Sequence, residues 1–195
     1  IDGFNAADDV AFYVNDNSDQ NFVDQWVRKE GMAQILRDSL LALPEGDVYG
    51  PYRDGSNFKL SKVVATMQMP DSVEARHILI PVGLSRADSI TRSPAEALAF
   101  ADSLYAELKK NRRKFADFVR AHSSDLGSVE KGGHYDYFGY NTMVAPFRDF
   151  CFEGRTGDLG VVESQFGVHI IEIEGQKEKS TAYKVATISR EIEPS

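Results

Sequence analysis

Between Val168 and Ile173 apolar side chains fall on both faces of a segment rich in β-branched residues, so this strand is expected at the centre of a sheet. A second run, Arg76-His77-Ile78-Leu79-Ile80-Pro81, has the same character, and each run carries one histidine. Paired side by side, they would bring His77 and His169 together. Helical periodicity marks two longer stretches. Met32 to Leu43 has apolar residues at 32, 35, 36, 40 and 43, one helical face closed by Pro44-Glu45-Gly46-Asp47. Ser93-Pro94-Ala95-Glu96 is a capping box with proline at the first helical position. The stripe Ala97, Ala101, Leu104 and Leu108 follows it and ends near Lys110-Asn111. Shorter helices are expected at 9–14, 115–121 and 146–152.

The remaining pattern reads as strands and breaks. Strands are expected at 48–52 and 57–64, joined by the turn Arg53-Asp54-Gly55-Ser56, and at 134–138, 159–163 and 168–174. Residues 181–191 alternate like a half-buried strand that forms an edge or crosses to the first half. Asn15 to Asp19 reads as a turn, 83–92 as a polar loop, and 66–74 as a connector broken at Pro70-Asp71-Ser72.

Composition narrows the function classes. A net charge of −8 argues against nucleic acid or an anionic membrane as the main partner. Hydrophobic residues at 42% and charged residues at 27% suit a soluble globular protein. The single cysteine, Cys151 in Phe150-Cys151-Phe152, allows no internal disulfide and is expected to be a buried, inert thiol. His77, His122, His134 and His169 form no metal-binding spacing such as HExxH, so no metal and no cofactor are expected. The first residue is Ile1, which suggests a processed chain or an excised fragment; a signal or membrane anchor would lie upstream.

From about Val73 to Gly175 the chain resembles the parvulin-type peptidyl-prolyl isomerases. The resemblance is carried by Ala75-Arg76-His77-Ile78-Leu79-Ile80, Phe115-Ala116-Asp117-Phe118, Ser123-Ser124-Asp125, Gly132-Gly133, Met143-Val144-Ala145-Pro146-Phe147, Gly157-Asp158-Leu159-Gly160 and Phe166-Gly167-Val168-His169-Ile170-Ile171. It implies an α+β fold, a small antiparallel four-stranded sheet surrounded by helices. It also implies non-covalent isomerisation of prolyl bonds. Met143 and Phe147 would line the proline slot with Phe166 at its edge, and His77 and His169 would lie beneath it as a pair that sets geometry more than it moves protons. Asp125 would stand where the family has cysteine or aspartate. By residue type alone, Met143 and Phe147 at this spacing read as core residues, and Asp125 before Leu126-Gly127 as a turn aspartate. Where the family commonly has Gly-Gly-Asp-Leu-Gly, this chain has Gly132-Gly133-His134-Tyr135-Asp136, so Tyr135 replaces a leucine that often touches substrate. Arg86 and Arg92 are split by Asp88, and no basic cradle for a phosphorylated residue is visible.

The first half contains an echo of the second. Met32 to Asp47 aligns without a gap on Met143 to Asp158, 111 positions later, and one extra residue before Gly50 brings Lys59 to the position of His169. Residues 1–70 are therefore expected to be a partial, degenerate parvulin-like unit, 71–178 the intact domain, and 179–195 a C-terminal extension strand. Such an architecture resembles the SurA and PpiD class of periplasmic folding factors. That resemblance implies a periplasmic location and unfolded or proline-containing polypeptide clients. A holdase chaperone that grips clients without catalysis is the alternative.

Overall fold

The computed structural model describes every residue except 86, 88 and 193–195. In chain order the elements are α1 (Asp2–Asn5), α2 (Val10–Asn17), β1 (Trp26–Arg28), α3 (Gln34–Ser39), β2 (Val48–Asp54), β3 (Asn57–Ile80), β4 (Gly83–Leu84), β5 (Thr91–Arg92), α4 (Pro94–Lys110), α5 (Phe115–His122), β6 (His134–Gly139), α6 (Ala145–Glu153), β7 (Leu159–Ser164) and β8 (Gly167–Glu191). The chain divides into two compact units. One comprises Ile1–Met69 and the segment from Ser180; the other is Pro70–Lys179. Among the described residues no helix is long and apolar enough to cross a membrane.

In the second unit the strand order is β7-β8-β3-β6, which places the two histidine-bearing strands at the centre. The β7–β8 hairpin is antiparallel with Val162 opposite His169, and β6 runs antiparallel to β3 with Ala75 opposite Tyr135. One face of this sheet presents Ile78, Ile80, Val168 and Ile170 to α4 and α5, which return Ala97, Ala101, Leu104, Leu108, Phe115 and Val119. Full burial of one such large aliphatic or aromatic side chain contributes roughly 1.5–3 kcal/mol. Ser93 and Glu96 close the capping box that starts α4. The other face carries the histidines and packs on α6 through Phe138, whose ring lies 6.1 Å from that of Phe147 and 6.0 Å from that of Phe152. Two glycines permit close approach beside the histidines. A Cβ on Gly133 (φ +87°) would lie 2.3 Å from the His77 carbonyl oxygen, and one on Gly167 (φ +130°) 2.3 Å from that of Ile80.

In the first unit the order is β2-β3-β8-β1. The β2–β3 hairpin is antiparallel with a register shift between Tyr49 and Tyr52, and β1 pairs with the C-terminal part of β8, Trp26 opposite Lys184. Phe4, Val14, Ala186 and Ile188 form its buried cluster, and Phe4 stacks on Tyr13 at 5.8 Å.

Several boundaries differ from the sequence reading, each for a physical reason. The connector expected at 66–74 is absent; β3 runs through Pro70, because burial of Met69, Val73 and Ala75 outweighs one missing donor. The strands expected at 168–174 and 181–191 are one strand, with the Gln176 amide anchored to the carbonyls of Cys151 and Gly154. The helix expected over 32–43 is α3 followed by a 3-10 turn at Leu40–Ala42. Met32 precedes the helix and is buried with Leu40, while Ile35 and Leu43 are exposed. Helix α2 extends through Asn17, whose side-chain amide donates to the Tyr13 carbonyl at 2.9 Å. The polar loop at 83–92 contains the short β4–β5 pair. Cys151 is fully buried, and burial pushes its thiol up to about 12.

Candidate functional site

The centre of the second unit brings His77 and His169 into a stacked pair. Their Nδ1 atoms are 3.2 Å apart, their rings 16° from parallel, and both side chains are buried. Strand pairing fixes each ring: the His77 backbone N–H donates to Gly133, and His169 sits opposite Val162. Phe147, from the first turn of α6, turns its edge to both imidazoles at 5.3 and 5.6 Å. Asp125 follows α5 on a loop stapled to β3, where the Ser123 hydroxyl accepts from Leu79 N–H and the Leu79 carbonyl accepts from Ser124 N–H.

One carboxylate oxygen, Asp125 Oδ2, gathers His77 Nε2 at 2.7 Å, the Tyr135 hydroxyl at 2.8 Å and the Ser128 hydroxyl. The hydrogen bond from His77, opposed by burial and helped by those from Ser128 and Tyr135, holds the Asp125 carboxyl well below the usual range, so it is an anion and an acceptor. Burial, then the neighbouring His77, pushes His169 down to about 4, so its ring is neutral near pH 7. Asp125 can only accept, so His77 donates to it from Nε2. In the tautomer that leaves His77 Nδ1 bare, His169 donates to that atom from its own Nδ1, and His169 Nε2 accepts from the Ser164 hydroxyl at 2.7 Å. That tautomer makes a directional chain running from Ser164 through both imidazoles to Asp125.

Above the pair opens a hollow of about 420 Å³, walled mostly by apolar groups, with Met143, Phe147 and Phe166 among its lining. His77, His169, Asp125 and Tyr135 also reach it. Phe147 is buried, Met143 is half-buried, and Phe166 is 56% exposed at the rim. All seven residues singled out in the sequence thus border one cavity. Its size suits a small ring or side chain and its dry wall lowers the local dielectric.

The family model of the PPIC-type PPIase domain matches residues 58–177. The chain belongs to the PPIC-type peptidyl-prolyl isomerase domain family. This is the parvulin family read from the motifs, and the match starts earlier than those motifs, within β3. Among curated relatives of this PPIC-type chain, the chaperone SurA of Pseudoalteromonas translucida (strain TAC 125) is 29% identical over 153 residues, covering 76% of this chain and 34% of that one. Chaperone SurA of Pseudomonas savastanoi pv. phaseolicola is 29% identical over 159 residues, covering 78% and 36%. The chain spans about a third of the length of these relatives. Among solved structures, the peptidylprolyl isomerase PrsA from Bacillus anthracis matches at 25% identity and a TM-score of 0.46, over 57% of this chain and 44% of that one. Peptidyl-prolyl isomerase ESS1 from Candida albicans matches at 25% and 0.48, over 54% and 63%.

Around the PPIC-type hollow, sequence reasoning missed Leu79, Thr142 and Val144 in the lining and the hydroxyls of Ser128 and Ser164. A signal for Ser164 existed: a two-residue turn before Gly167 puts Ser164 beside the His169 ring across the hairpin. The other histidines stand apart. His122 packs edge-on to Phe100 at 5.1 Å, and His134 bonds Glu174 at 2.7 Å. Arg92 is buried, with its guanidinium 4.3 Å from the Phe100 ring centre, while Arg86 and Asp88 lie outside the described residues.

Proposed function

We propose that the second unit catalyses cis–trans isomerisation of X–Pro amides in unfolded polypeptides, within the hollow above His77 and His169. The observation that carries this reading is the hydrogen-bonded imidazole pair beneath a cavity walled by Met143 and Phe147. Rotation of the amide is slow because it breaks resonance, with a barrier of about 20 kcal/mol. The twisted amide loses charge separation, so a water-poor wall favours it over the planar form. A thousandfold acceleration needs only about 4 kcal/mol of such preference. Met143 and Phe147 seat the ring, Phe166 closes the rim, and the chain from Ser164 to Asp125 holds the polar floor rigid. No bond to substrate is made.

The reading extends to the first unit as a degenerate parvulin-like copy. Helix α3 with its 3-10 turn spans 34–42, and α6 spans 145–153, 111 positions later. Strands β2 and β7 start 111 apart, while β3 and β8 start 110 apart, and the register shift in β2 falls where the one-residue gap is needed. In this copy the C-terminal part of β8 takes the place that the His77 strand has in the second unit. Lys59 then stands for His169 and Thr187 for His77, so the first unit carries no imidazole pair and is assigned a structural or client-holding role.

The likeness to chaperone SurA over about a third of its length supports placing the chain in a longer periplasmic folding factor with unfolded clients. The test is acceleration of a proline peptide's isomerisation by substoichiometric protein. Met143→Ala is expected to reduce kcat/KM at least tenfold. Suppression of client aggregation with no acceleration would favour the holdase reading instead.

A further inference from the structure

We propose that Tyr135 is a positioning residue of this site: its hydroxyl clamps the Asp125 oxygen that holds His77, and so sets the direction of the proton chain through both imidazoles. The proposal rests on the isomerase reading for its kinetic consequence, but not for its structural one. Three donors converge on Asp125 Oδ2, whereas Oδ1 takes the Gly127 N–H at 3.3 Å. A carboxylate gripped this way cannot swing to let His77 turn. The backbone fixes the clamp from both sides. Tyr135 lies opposite Ala75 in the β3–β6 ladder, where a methyl group leaves room for a large ring. Two residues earlier, Gly133 accepts the His77 backbone N–H at 2.9 Å. The Tyr135 ring walls the hollow 5.4 Å from the His77 ring, tilted 56°, while its hydroxyl reaches past that ring to Asp125.

A leucine here would supply the wall and not the donor. Tyr135 therefore combines two jobs that one apolar residue cannot. Burial, reinforced by the Asp125 charge, pushes the Tyr135 phenol up to about 12, so it stays a donor at any pH the protein encounters. Without that donor, Oδ2 of Asp125 is held by Ser128 and His77 alone, with the Gly127 N–H on Oδ1. His77 is then free to carry its proton on Nδ1, which reverses the bond to His169 and turns the Ser164 hydroxyl round.

The test compares the whole chain with Tyr135→Phe by nitrogen-15 NMR of the histidine side chains. In the wild type, His77 should carry its proton on Nε2, with Nδ1 bare. In Tyr135→Phe the His77 signals should report mixed tautomers, and the Nε2 proton should exchange with water at least tenfold faster. For a proline peptide, kcat should fall about tenfold with KM within twofold, whereas Tyr135→Leu should also raise KM because the wall changes shape. Unchanged tautomer and exchange in Tyr135→Phe would overturn the proposal. A check needs no variant: the wild-type Tyr135 hydroxyl proton should show magnetisation transfer to the His77 Nε2 proton, and its absence would overturn the proposal equally. If the wild type accelerates no proline peptide, the isomerase reading fails while the imidazole spectra still decide the role of Tyr135.

Discussion

Strands β3 and β8 contribute to both units, and the side chains they present differ sharply. In the second unit they bring His77 and His169 to 3.2 Å beneath an open hollow. In the first, the Tyr52 hydroxyl bonds Ser61, which bonds Thr187, each at 2.8 Å. Tyr52 and Ser61 are buried there, and Lys59 turns instead to Asp54 at 2.6 Å. A row of hydroxyls can satisfy itself and fill space; Thr187 borders a smaller hollow of about 180 Å³, but the row supplies no imidazole pair. The lesson is that strand order is shared while chemistry rests on a few positions, so exchanging those positions should separate the units cleanly.

The largest effect is expected from giving the second unit the first unit's residue. His169→Lys places an ammonium against an apolar wall where the Asp125 oxygen facing the pair is already taken by three donors, which should cost roughly 3–5 kcal/mol in urea unfolding and at least a hundredfold in isomerase rate. Lys59→His should gain no activity, since Thr187 offers no ring partner. Next, Phe147→Ala widens the hollow over both imidazoles and should destabilise by about 3–5 kcal/mol and abolish peptide binding. Leu36→Ala, the matching change in the first unit at a half-buried position, should cost less than half of that and leave the isomerase rate alone.

Acidification tests the pair differently. The folded pKa of His169, about 4, lies below its ordinary 6.5, so between these values the unfolded chain binds the extra proton. Stability should therefore fall as pH drops through that window, by at most about 3 kcal/mol, and His169→Gln should remove this slope. His134 supplies the opposite sign. The hydrogen bond that His134 donates to Glu174 raises its pKa, helped by the charges of Glu174, Glu74 and Asp136 against burial. Its contribution is present below 6.5 and lost as pH rises through the folded value, so His134→Gln should flatten the alkaline side. Smallest of all, Lys59→Ala removes an ion pair whose Asp54 is 57% exposed and should change stability by less than about 1 kcal/mol, read by urea unfolding, with no kinetic effect.

Much of this was written in the local pattern. The Ser93 box and the stripe through Leu108 predicted α4 over its full length, because capping and amphipathicity act within a few residues. The meeting of His77 and His169 was legible because each interrupts an otherwise apolar central strand. Long-range compensation was not legible. Pro70 reads as a breaker and the strand from Val168 is expected to stop at Glu174, yet β3 and β8 run on, since burial and the Gln176 anchors act across the fold. Ser164 lies just past the strand expected at 159–163, and its partner His169 is on the next strand of the hairpin, while Ser128 reaches Asp125 only because the loop after α5 folds back on itself.

Exchange NMR on a proline-containing peptide, with the whole chain isotopically labelled, tests the central claim most directly. The account predicts faster cis–trans exchange at catalytic protein, with peptide-induced shifts centred on Leu79, Phe147 and His169. No acceleration, or shifts gathered instead around Lys59 and Thr187, would contradict it.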